Sequence, residues 1–524
     1  MIWSLSRRAH SRWKRVALAA ATVSAGLLSG TPPGVAQTKG EIVVAGALLR
    51  QQFDPTVMVA VTDYNAYDLL FDGLINLGAK GKYPALATGW TISADARQID
   101  FELRKNVRFH NGDAFSAEDV KFTYETIIKE GNTHSYRKTF ADSIDRIEVI
   151  DPARVRFILK QPWLAFFSSA RYGLQPIVPK AYYEKVGAKG FLEKPVGTGP
   201  FKFAGMKAGE WSRFEVNSEY WGQVAEIKSV TQKMVKEPFT LYAMVEKGEA
   251  DVVFGLSGAL LDKVKSDSKM RIFESKYSGT SGMYFNKTKF PASADKRVRL
   301  AVAYALNRAE IAKRVLGGVC EPATSIFTPA TFGYQAGLQS IPYDPAKAKQ
   351  LLAEAGVKPG TEISFTLHSE SFGSLPSAPQ VLEALAGNLE AVGFKVVRES
   401  VDTSSWLAMM RAKKQPAVFY GPSSMPDDGG ETIEGWFTSK ALWSSGNIQV
   451  PAYDEIAKAQ VEAVDLKKRE GMLQAFAKLE NENLEAVPLF WCSTTFAAGP
   501  RIKQWSPAVS SAYHYNFQTM KLAE

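Results

Sequence analysis

The sequence predicts an α/β protein with more than one lobe. Short runs typical of strands, such as 41–45 and 394–397, alternate with longer stretches of helical periodicity, such as 376–392. This alternation is characteristic of sheets covered by helices. The chain has 524 residues, of which 45% are hydrophobic, and a chain of this length normally divides into several hydrophobic cores. We therefore expect a globular protein built from at least two lobes.

The N-terminal segment has the features of a secretory signal. Basic residues lie between positions 7 and 15, an apolar run extends from Val16 to Leu28, and Gly34-Val35-Ala36 supplies the small residues found before a cleavage site. The apolar run is shorter than a membrane-spanning helix. The sequence predicts a signal peptide over 1–36, cleavage after about Ala36, no lipid anchor and a periplasmic mature protein. Arg7-Arg8 leaves Sec and twin-arginine export both open.

Cleavage of this segment would leave a nearly neutral protein. The whole chain has 63 basic and 54 acidic residues, a formal charge of +9, and five of the basic residues belong to the signal. The remaining excess of about 4 positive charges is too small to indicate a nucleic-acid-binding protein. We expect no nucleic-acid partner.

The first half of the mature chain alternates strands with capped helices. Ser116 and Asp119 have the spacing of a capping box, which predicts a helix from Ala117. Gly197-Thr198-Gly199-Pro200 could form either a rigid turn or a phosphate-binding loop. Because it lacks the lysine and the following helix of a phosphate-binding loop, we predict a rigid turn. A helix is predicted between 62 and 74, and strands at 41–45, 98–103, 107–109, 144–150, 154–159, 201–203 and 252–254.

From residue 295 the pattern becomes mainly helical. Asp295 is placed to cap one helix over 296–316, which Gly317-Gly318 would end. Asp344 begins a further helix that stops at Gly356. The remaining predicted helices are 376–392, 403–412, 453–464 and 467–485, and the strands are 394–397, 417–420 and 487–491.

The cysteines and histidines give little indication of a cofactor. Cys320 and Cys492 are the only cysteines, and the sequence leaves open whether they form one disulfide or remain separate thiols. The four histidines of the mature chain are scattered, with no pair spaced for a shared metal ion. We expect no cofactor and no metal site, and we interpret His110 as a structural residue.

Several short motifs, in a fixed order, resemble extracellular solute-binding protein family 5, the peptide/nickel-type receptors of ABC importers. The resemblance covers nearly all of the mature chain. Its motifs are Pro84-Ala85-Leu86-Ala87 with Trp90, Phe109-His110-Asn111-Gly112, Ala117-Glu118-Asp119-Val120, Val196-Gly197-Thr198-Gly199-Pro200-Phe201, Phe285-Asn286, Arg297-Val298-Arg299 with Ala305-Leu306-Asn307-Arg308, and Tyr343-Asp344-Pro345 with Leu351-Leu352-Ala353-Glu354-Ala355-Gly356.

The resemblance implies a two-lobe periplasmic binding protein fold of class II, the large cluster C type, with an extra subdomain on the first lobe. It implies lobe I from 37–80, 196–278 and 489–524, the subdomain from 81–195, and lobe II from 279–488, with hinge strands near 276–285 and 486–492. The lobes would close on a peptide or peptide-like solute and deliver it to permease subunits in the inner membrane. We expect a monomer that performs no chemistry on the solute.

Four segments at the expected lobe interface are candidates for the walls of the cleft. Arg50 and Arg171 could bind a carboxylate in a two-pronged manner, although a solvated surface position is the more common role of an arginine. Trp406 and Tyr420 could stack on a ligand or pack in the core. The candidate ligand-binding residues are Arg50, Gln52, Arg171, Tyr277, Thr280, Ser281, Trp406, Tyr420, Ser423 and Asp427.

One candidate departs from the pattern of the peptide-binding members. These members typically have an aspartate a few residues after a tryptophan, and the aspartate pairs with the peptide α-amino group. Alignment by resemblance places Tyr420 at the tryptophan and Ser423 at the aspartate, and a hydroxyl cannot replace that charge. Asp427 or Asp428 could take this role if the loop is shifted. Opines, sugars, haem and metal chelates therefore stay open as ligands beside peptides.

Two alternatives to import remain at this point. An exported hydrolase such as a glycosidase needs only two suitably placed carboxylates, which no motif reveals, whereas a serine-hydrolase elbow is absent from the sequence, since Gly279-Thr280-Ser281-Gly282 has the wrong spacing. A receptor for an opine, sugar or organic acid that passes its closed form to a sensor has the same sequence features as an importer component.

Overall fold

The computed structural model describes residues 40–523 except for 48, 50, 58–63, 79–80, 169–174, 370–374, 376, 422–427, 442, 444–447 and 508–514. The predicted signal peptide and its cleavage site lie outside the described residues. Among the residues that are described, no helix is both long and apolar enough to cross a membrane.

The described strands are numbered along the chain. They are Glu41–Gly46 (β1), Ile75–Gly78 (β2), Gly81–Pro84 (β3), Ala87–Ile92 (β4), Gln98–Leu103 (β5), Ile144–Asp151 (β6), Arg154–Leu159 (β7), Phe201–Lys207 (β8), Trp211–Val216 (β9), Ser229–Met234 (β10), Val252–Phe254 (β11), Arg271–Phe285 (β12), Cys320–Pro322 (β13), Glu362–His368 (β14), Lys395–Val401 (β15), Val418–Gly421 (β16), Ala486–Ala498 (β17), Ile502–Gln504 (β18) and Lys521–Leu522 (β19).

The helices are numbered in the same way. They are Tyr64–Leu70 (α1), Ala117–Ile128 (α2), Arg137–Ser143 (α3), Ala165–Ser168 (α4), Lys180–Glu193 (α5), Pro238–Glu246 (α6), Gly258–Ser266 (α7), Lys296–Ala305 (α8), Arg308–Arg314 (α9), Pro345–Glu354 (α10), Ala378–Ala391 (α11), Thr403–Arg411 (α12), Gly429–Thr432 (α13), Pro451–Glu462 (α14) and Leu466–Asn483 (α15), with a π-helix at Ile433–Phe437 and 3-10 helices at Pro55–Val57, Pro291–Ala294 and Phe517–Thr519.

One large sheet runs through the molecule. Ten of its eleven described strands follow the order β15-β14-β16-β12-β17-β11-β1-β10-β9-β8, and β13 pairs with β17. We call β11, β1, β10, β9 and β8 the first half of the sheet, and β16, β14 and β15 the second half. Strands β12 and β17 are antiparallel neighbours over 271–284 and 486–498, so they connect the two halves.

Separate hydrophobic clusters cover these parts. The first half packs around residues of β1, α1 and the C-terminal segment, including Phe53, Tyr67 and Trp505. The second half packs against α8, α9 and α11 in one cluster and against α12, α14 and α15 in another. A separate sheet in the order β4-β5-β7-β6 has its own core with α2 and α3.

Several local predictions are confirmed. Ser116 and Asp119 form the predicted capping box of α2, because a side-chain acceptor satisfies an exposed first-turn N–H group. Asp344 accepts a hydrogen bond from Lys347 N at the start of α10. Helix α10 ends before Gly356, which has a left-handed φ of 74°.

Two local predictions are wrong. The single helix expected over 296–316 is two helices, α8 and α9, because Asn307 turns away from helical geometry and its side chain caps α9 by accepting from Glu310 N. The strand expected at 107–109 is only an isolated bridge between Arg108 and Ala114. In both places the sequence contains the responsible turn residues, and their periodic neighbours obscured them.

The pair formed by His110 and the turn at 197–199 is structural. His110 N donates to Gly197 O at 2.8 Å, Gly197 N donates to His110 Nδ1 at 3.3 Å, and His110 Nε2 lies 3.0 Å from Gly199 O. Burial lowers the pKa of His110 to about 4, so the imidazole is neutral at pH 7 and donates from Nε2. The prediction that His110 is structural is consistent with these contacts.

Gly197 tolerates no side chain at this contact, since an added Cβ would lie 2.0 Å from Leu70 O. We expect Gly197→Ala to lower the free energy of unfolding by about 3 kcal/mol, because backbone atoms must move apart. Urea denaturation would measure the loss. Gly387→Ala is the matched control, because nothing lies within 4 Å of its added Cβ in α11, and an unchanged stability of Gly197→Ala would contradict the close approach.

Cys320 and Cys492 form a disulfide, which settles the alternative that the sequence left open. The two residues are directly opposite in the β13–β17 pair. The bond therefore attaches the short strand β13 to β17, one of the two strands that connect the halves of the sheet.

Candidate ligand-binding cleft

The two halves of the sheet meet at a short stretch of β12 and β17. Strand β17 pairs with β11 at 496–498, and β12 pairs with β16 at 282–285. Residues 276–281 and 490–494 lie between these points, and we call them the crossover. The resemblance placed the hinge strands in this region.

The parallel strands of both halves point their carboxyl ends at the crossover. In the second half, β16 ends at Gly421, opposite Gly282 of β12, and β14 runs parallel to β16. In the first half, β11 ends at Phe254, opposite Phe496 of β17, and β1 runs parallel to β11. Ligands of open α/β sheets bind outside such carboxyl ends, so the topology makes the crossover the natural binding region.

Two contacts join the halves beside the crossover. Ser257 Oγ, at the start of α7, lies 2.6 Å from Ser377 Oγ, at the start of α11. Lys265 Nζ in α7 donates to Gly317 O at 2.8 Å. The described arrangement therefore brings the two halves together at the end where their strands terminate.

An open cavity of about 670 Å³ lies at the carboxyl end of β14. This volume is in the range of small-molecule pockets. Its lining combines the end of β14 with the first turns of α11, and consists of Leu367, His368, Ser369, Pro379, Gln380, Glu383, Ala384 and Ser400.

Trp406 and Tyr420 both pack against His368 behind this cavity. The ring centroids of His368 lie 5.4 Å from Trp406 and 5.5 Å from Tyr420. All three side chains are buried, and burial lowers the pKa of His368 to about 4, so its ring is uncharged at pH 7. The sequence left two roles open for Trp406 and Tyr420, stacking on a ligand and packing in the core. Their contacts with His368 agree with packing in the core.

Of three other candidates, two form hydrogen-bond contacts within the protein and the third is completely buried. Ser281 Oγ lies 3.4 Å from Phe490 O, within hydrogen-bond reach. Gln52 Oε1 accepts from Asp54 N at 2.9 Å. Thr280 is completely buried, and its Oγ1 has no hydrogen-bond partner among the described residues.

Tyr277 has an unusual backbone at the crossover. Its φ is 55°, in the left-handed region that non-glycine residues seldom occupy, and the β12–β17 register shifts between Ser275 and Gly279. Such strain costs about 1–3 kcal/mol and is concentrated at functional sites. Burial, followed by the charge of Glu321, raises the pKa of the Tyr277 phenol.

Three residues beside Tyr277 were not among the predicted candidates. Trp491 meets Tyr277 edge to face at 6.2 Å between ring centroids, and it meets Tyr334 at 5.9 Å. Glu321 lies directly opposite Trp491 in the β13–β17 pair. The sequence did not indicate Glu321, because β13 is too short to show a periodic pattern. It did not indicate Trp491, because a tryptophan within a strand is usually a core residue.

Four predicted site residues, Arg50, Arg171, Ser423 and Asp427, lie outside the described residues. The alternative anchor Asp428 is described, and it is fully committed within the protein. Its two carboxylate oxygens accept from Arg469 Nη1 and Nη2 at 2.7 Å each, and both side chains are buried. The suggestion that Asp428 binds a ligand amine is therefore wrong, because its charge is already neutralised.

Comparison with known proteins assigns this architecture to a family. The family described as "Bacterial extracellular solute-binding proteins, family 5 Middle" matches residues 82–443. The chain belongs to family 5. It is thus a solute-binding protein with the mixed α/β, two-lobe class II fold, and the resemblance and the fold class predicted from the sequence are confirmed.

Family 5 relatives match over most of their length. Heme-binding protein A of Haemophilus influenzae is 27% identical over 88% of this chain and 89% of its own. Di/tripeptide-binding protein 3 of Pseudomonas aeruginosa is 26% identical over 90% and 92%. Glutathione-binding protein GsiB of Salmonella choleraesuis is 32% identical over 66% of each chain.

Solved structures show the same fold. The periplasmic binding protein DppA of Helicobacter pylori, in complex with the peptide STSA, superposes with a TM-score of 0.78 at 24% identity, covering 93% of this chain and 98% of that one. The two chains therefore share one fold.

Proposed function

We propose that this protein binds a peptide or peptide-like solute in the periplasm and delivers it to the permease subunits of an ABC importer. Relatives that match over most of the chain carry the names di/tripeptide-binding and glutathione-binding protein, and the DppA neighbour is ABC transporter-associated and holds a peptide. The protein works as a monomer, with its signal peptide removed after about Ala36.

The observation that carries this proposal is the convergence at the crossover. The carboxyl ends of the parallel strands in both lobes point to it, and Ser257 contacts Ser377 beside it. Lobe I comprises 37–80, 196–278 and 489–524, the subdomain 81–195, and lobe II 279–488. A solute enters while the lobes are apart, and closure surrounds it with groups from both lobes.

The proposal includes no catalytic step, since family 5 consists of solute-binding proteins. The closed form is the signal that the permease recognises, because only the closed form presents both lobes in a fixed relative position. Release of the intact solute into the permease then returns the protein to its open form.

A ligand screen tests the proposal. We expect at least one compound from a panel of dipeptides, tripeptides, glutathione, opines, sugars and organic acids to raise the melting temperature, because a ligand that binds only the folded state stabilises it by mass action. Native mass spectrometry should recover the same compound unchanged after incubation. A peptide hit supports the proposal, binding only of sugars or organic acids overturns the solute class, and hydrolysis of the bound compound overturns the transport role.

A further inference from the structure

One row of side chains crosses three strands at the crossover. Glu321 of β13 is opposite Trp491 of β17, and Thr280 of β12 is opposite Trp491 on the other side. Directly opposed residues of antiparallel strands have their side chains on the same face of the sheet. Glu321, Trp491 and Thr280 therefore share one face, with neighbouring strands about 5 Å apart.

Two tyrosines complete this surface. The rings of Tyr277 and Tyr334 meet Trp491 edge to face, at interplanar angles of 85° and 76°. Trp491 Nε1 donates to Ser325 O at 3.0 Å, which fixes the orientation of the indole. We call Tyr277, Tyr334 and Trp491 the aromatic corner. Its two tyrosines are half-buried, so their rings are partly accessible.

Glu321 is an exposed carboxylate at the edge of this corner. Burial, and then the nearby charge of Glu321, raise the pKa of both the Tyr277 and the Tyr334 phenols, and in the described part of the chain no lysine or arginine forms an ion pair with Glu321. Glu321 is exposed in the same arrangement in which Ser257 contacts Ser377, so a solute held at the crossover can reach its carboxylate. A carboxylate that has no ion-pair partner attracts a positively charged group of such a solute.

The remaining features of the site favour the same kind of ligand group. Aromatic faces attract cations through their quadrupole, and sites that bind ammonium groups are built from several such rings. The unpartnered Oγ1 of the buried Thr280 supplies a further acceptor on the same face. Tyr277 is held beside Glu321 at the cost of a strained backbone. A carboxylate, aromatic rings and an unsatisfied hydroxyl together match a group that is positively charged and donates hydrogen bonds.

We propose that Glu321 and the aromatic corner form a subsite that binds a protonated amine or guanidinium group of the transported solute. This inference rests on the proposed function, since it assigns one end of the solute held between the lobes. It makes Glu321 the residue that selects cationic over neutral ends, and it makes the three rings the walls that replace water around the cation.

Matched pairs of compounds test the subsite. Isothermal titration calorimetry would compare Ala-Ala, Ala-Phe and glutathione, each of which has a single amine, with the Nα-acetylated form of each, in which that amine is neutral, and with sucrose and citrate. We expect the wild type to bind at least one of the amines, and to bind it at least 100-fold more tightly than its acetylated form. Glu321→Gln should weaken binding of that amine by about 30-fold or more, because it removes the charge facing the cation.

Two further variants separate charge from packing. Tyr334→Leu should weaken binding of the same amine by about threefold to thirtyfold, because one aromatic wall is lost. Glu249→Gln is the matched control, since Glu249 is also an exposed glutamate, but on a turn of the first lobe remote from β13. Its affinity should equal that of the wild type. Circular dichroism of unliganded Glu321→Gln should match the wild type, because the substitution preserves shape.

The outcomes distinguish this inference from the proposed function. Binding of an amine by Glu321→Gln with wild-type affinity overturns the subsite and leaves the receptor role intact. Binding of only the acetylated peptides by the wild type has the same meaning, whereas binding of only sucrose or citrate overturns the subsite and the proposed solute class together. Binding of none of these compounds contradicts the subsite and the proposed function together.

Discussion

Asp428→Asn is expected to lower the free energy of unfolding by about 3–5 kcal/mol, because it leaves the buried Arg469 guanidinium without its counter-charge. The two side chains form a two-pronged ion pair at 2.7 Å with side-chain exposures of 0% and 2%. Asp428 Oδ1 also accepts from Gly430 N at 2.8 Å, so the aspartate caps α13 as well. Arg469 Nε donates to Gln460 Oε1, which ties α14 to α15.

Urea denaturation followed by tryptophan fluorescence would measure this loss. Asp142→Asn is the matched control, because Asp142 forms an ion pair with Lys138 on the surface, where both side chains are more than half exposed. Pairs of this kind contribute at most about 1 kcal/mol. Equal stabilities for Asp428→Asn and Asp142→Asn would show that the Asp428–Arg469 pair is not buried in solution.

A disulfide introduced between the lobes should stop solute exchange. Ser257 and Ser377 have their hydroxyl oxygens 2.6 Å apart, a spacing close enough for a disulfide between cysteines at these positions. We expect the oxidised Ser257→Cys/Ser377→Cys protein to release or take up a solute at least about 100-fold more slowly than the wild type, because access to the crossover requires the lobes to separate. Reduction with dithiothreitol should restore exchange.

The measurement would use whichever compound of the ligand screen raises the melting temperature of the wild type. Each single cysteine variant is a control, since it retains the native Cys320–Cys492 disulfide and experiences the same reduction. Small-angle scattering should show that the oxidised double variant has the same profile with and without solute. Exchange at the wild-type rate in the oxidised double variant, or failure of the new bond to form, would contradict closure at this contact.

Much of the fold was predictable because the decisive interactions are local. Helix α2 begins at a capping box formed by residues three positions apart, and Asp344 and Gly356 bound α10 in the same way. Helical periodicity placed α11, α14 and α15 to within two or three residues at each end. The break between α8 and α9 depends on a local cap as well, but the continuous apolar pattern through 306 concealed it.

The candidate site was less predictable because it depends on strand pairing. Motif and loop reasoning found Tyr277 and Thr280, which lie at the crossover. Trp406 and Tyr420 are aromatic residues at the correct end of the sheet, and only their contacts with His368 place them in its packing. The role of Asp428 depends on Arg469, which approaches it from a different helix.

The sequence by itself determined the class of this protein, a chain of α/β lobes whose ordered motifs resemble family 5, because caps, periodicity and motif order are properties of neighbouring residues. Only the tertiary structure decided which side chains face one another at the crossover. Register between β12, β13 and β17 places Thr280, Glu321 and Trp491 on one face. A shift of one residue would turn each of them to the opposite face, and a one-dimensional pattern contains no record of that register.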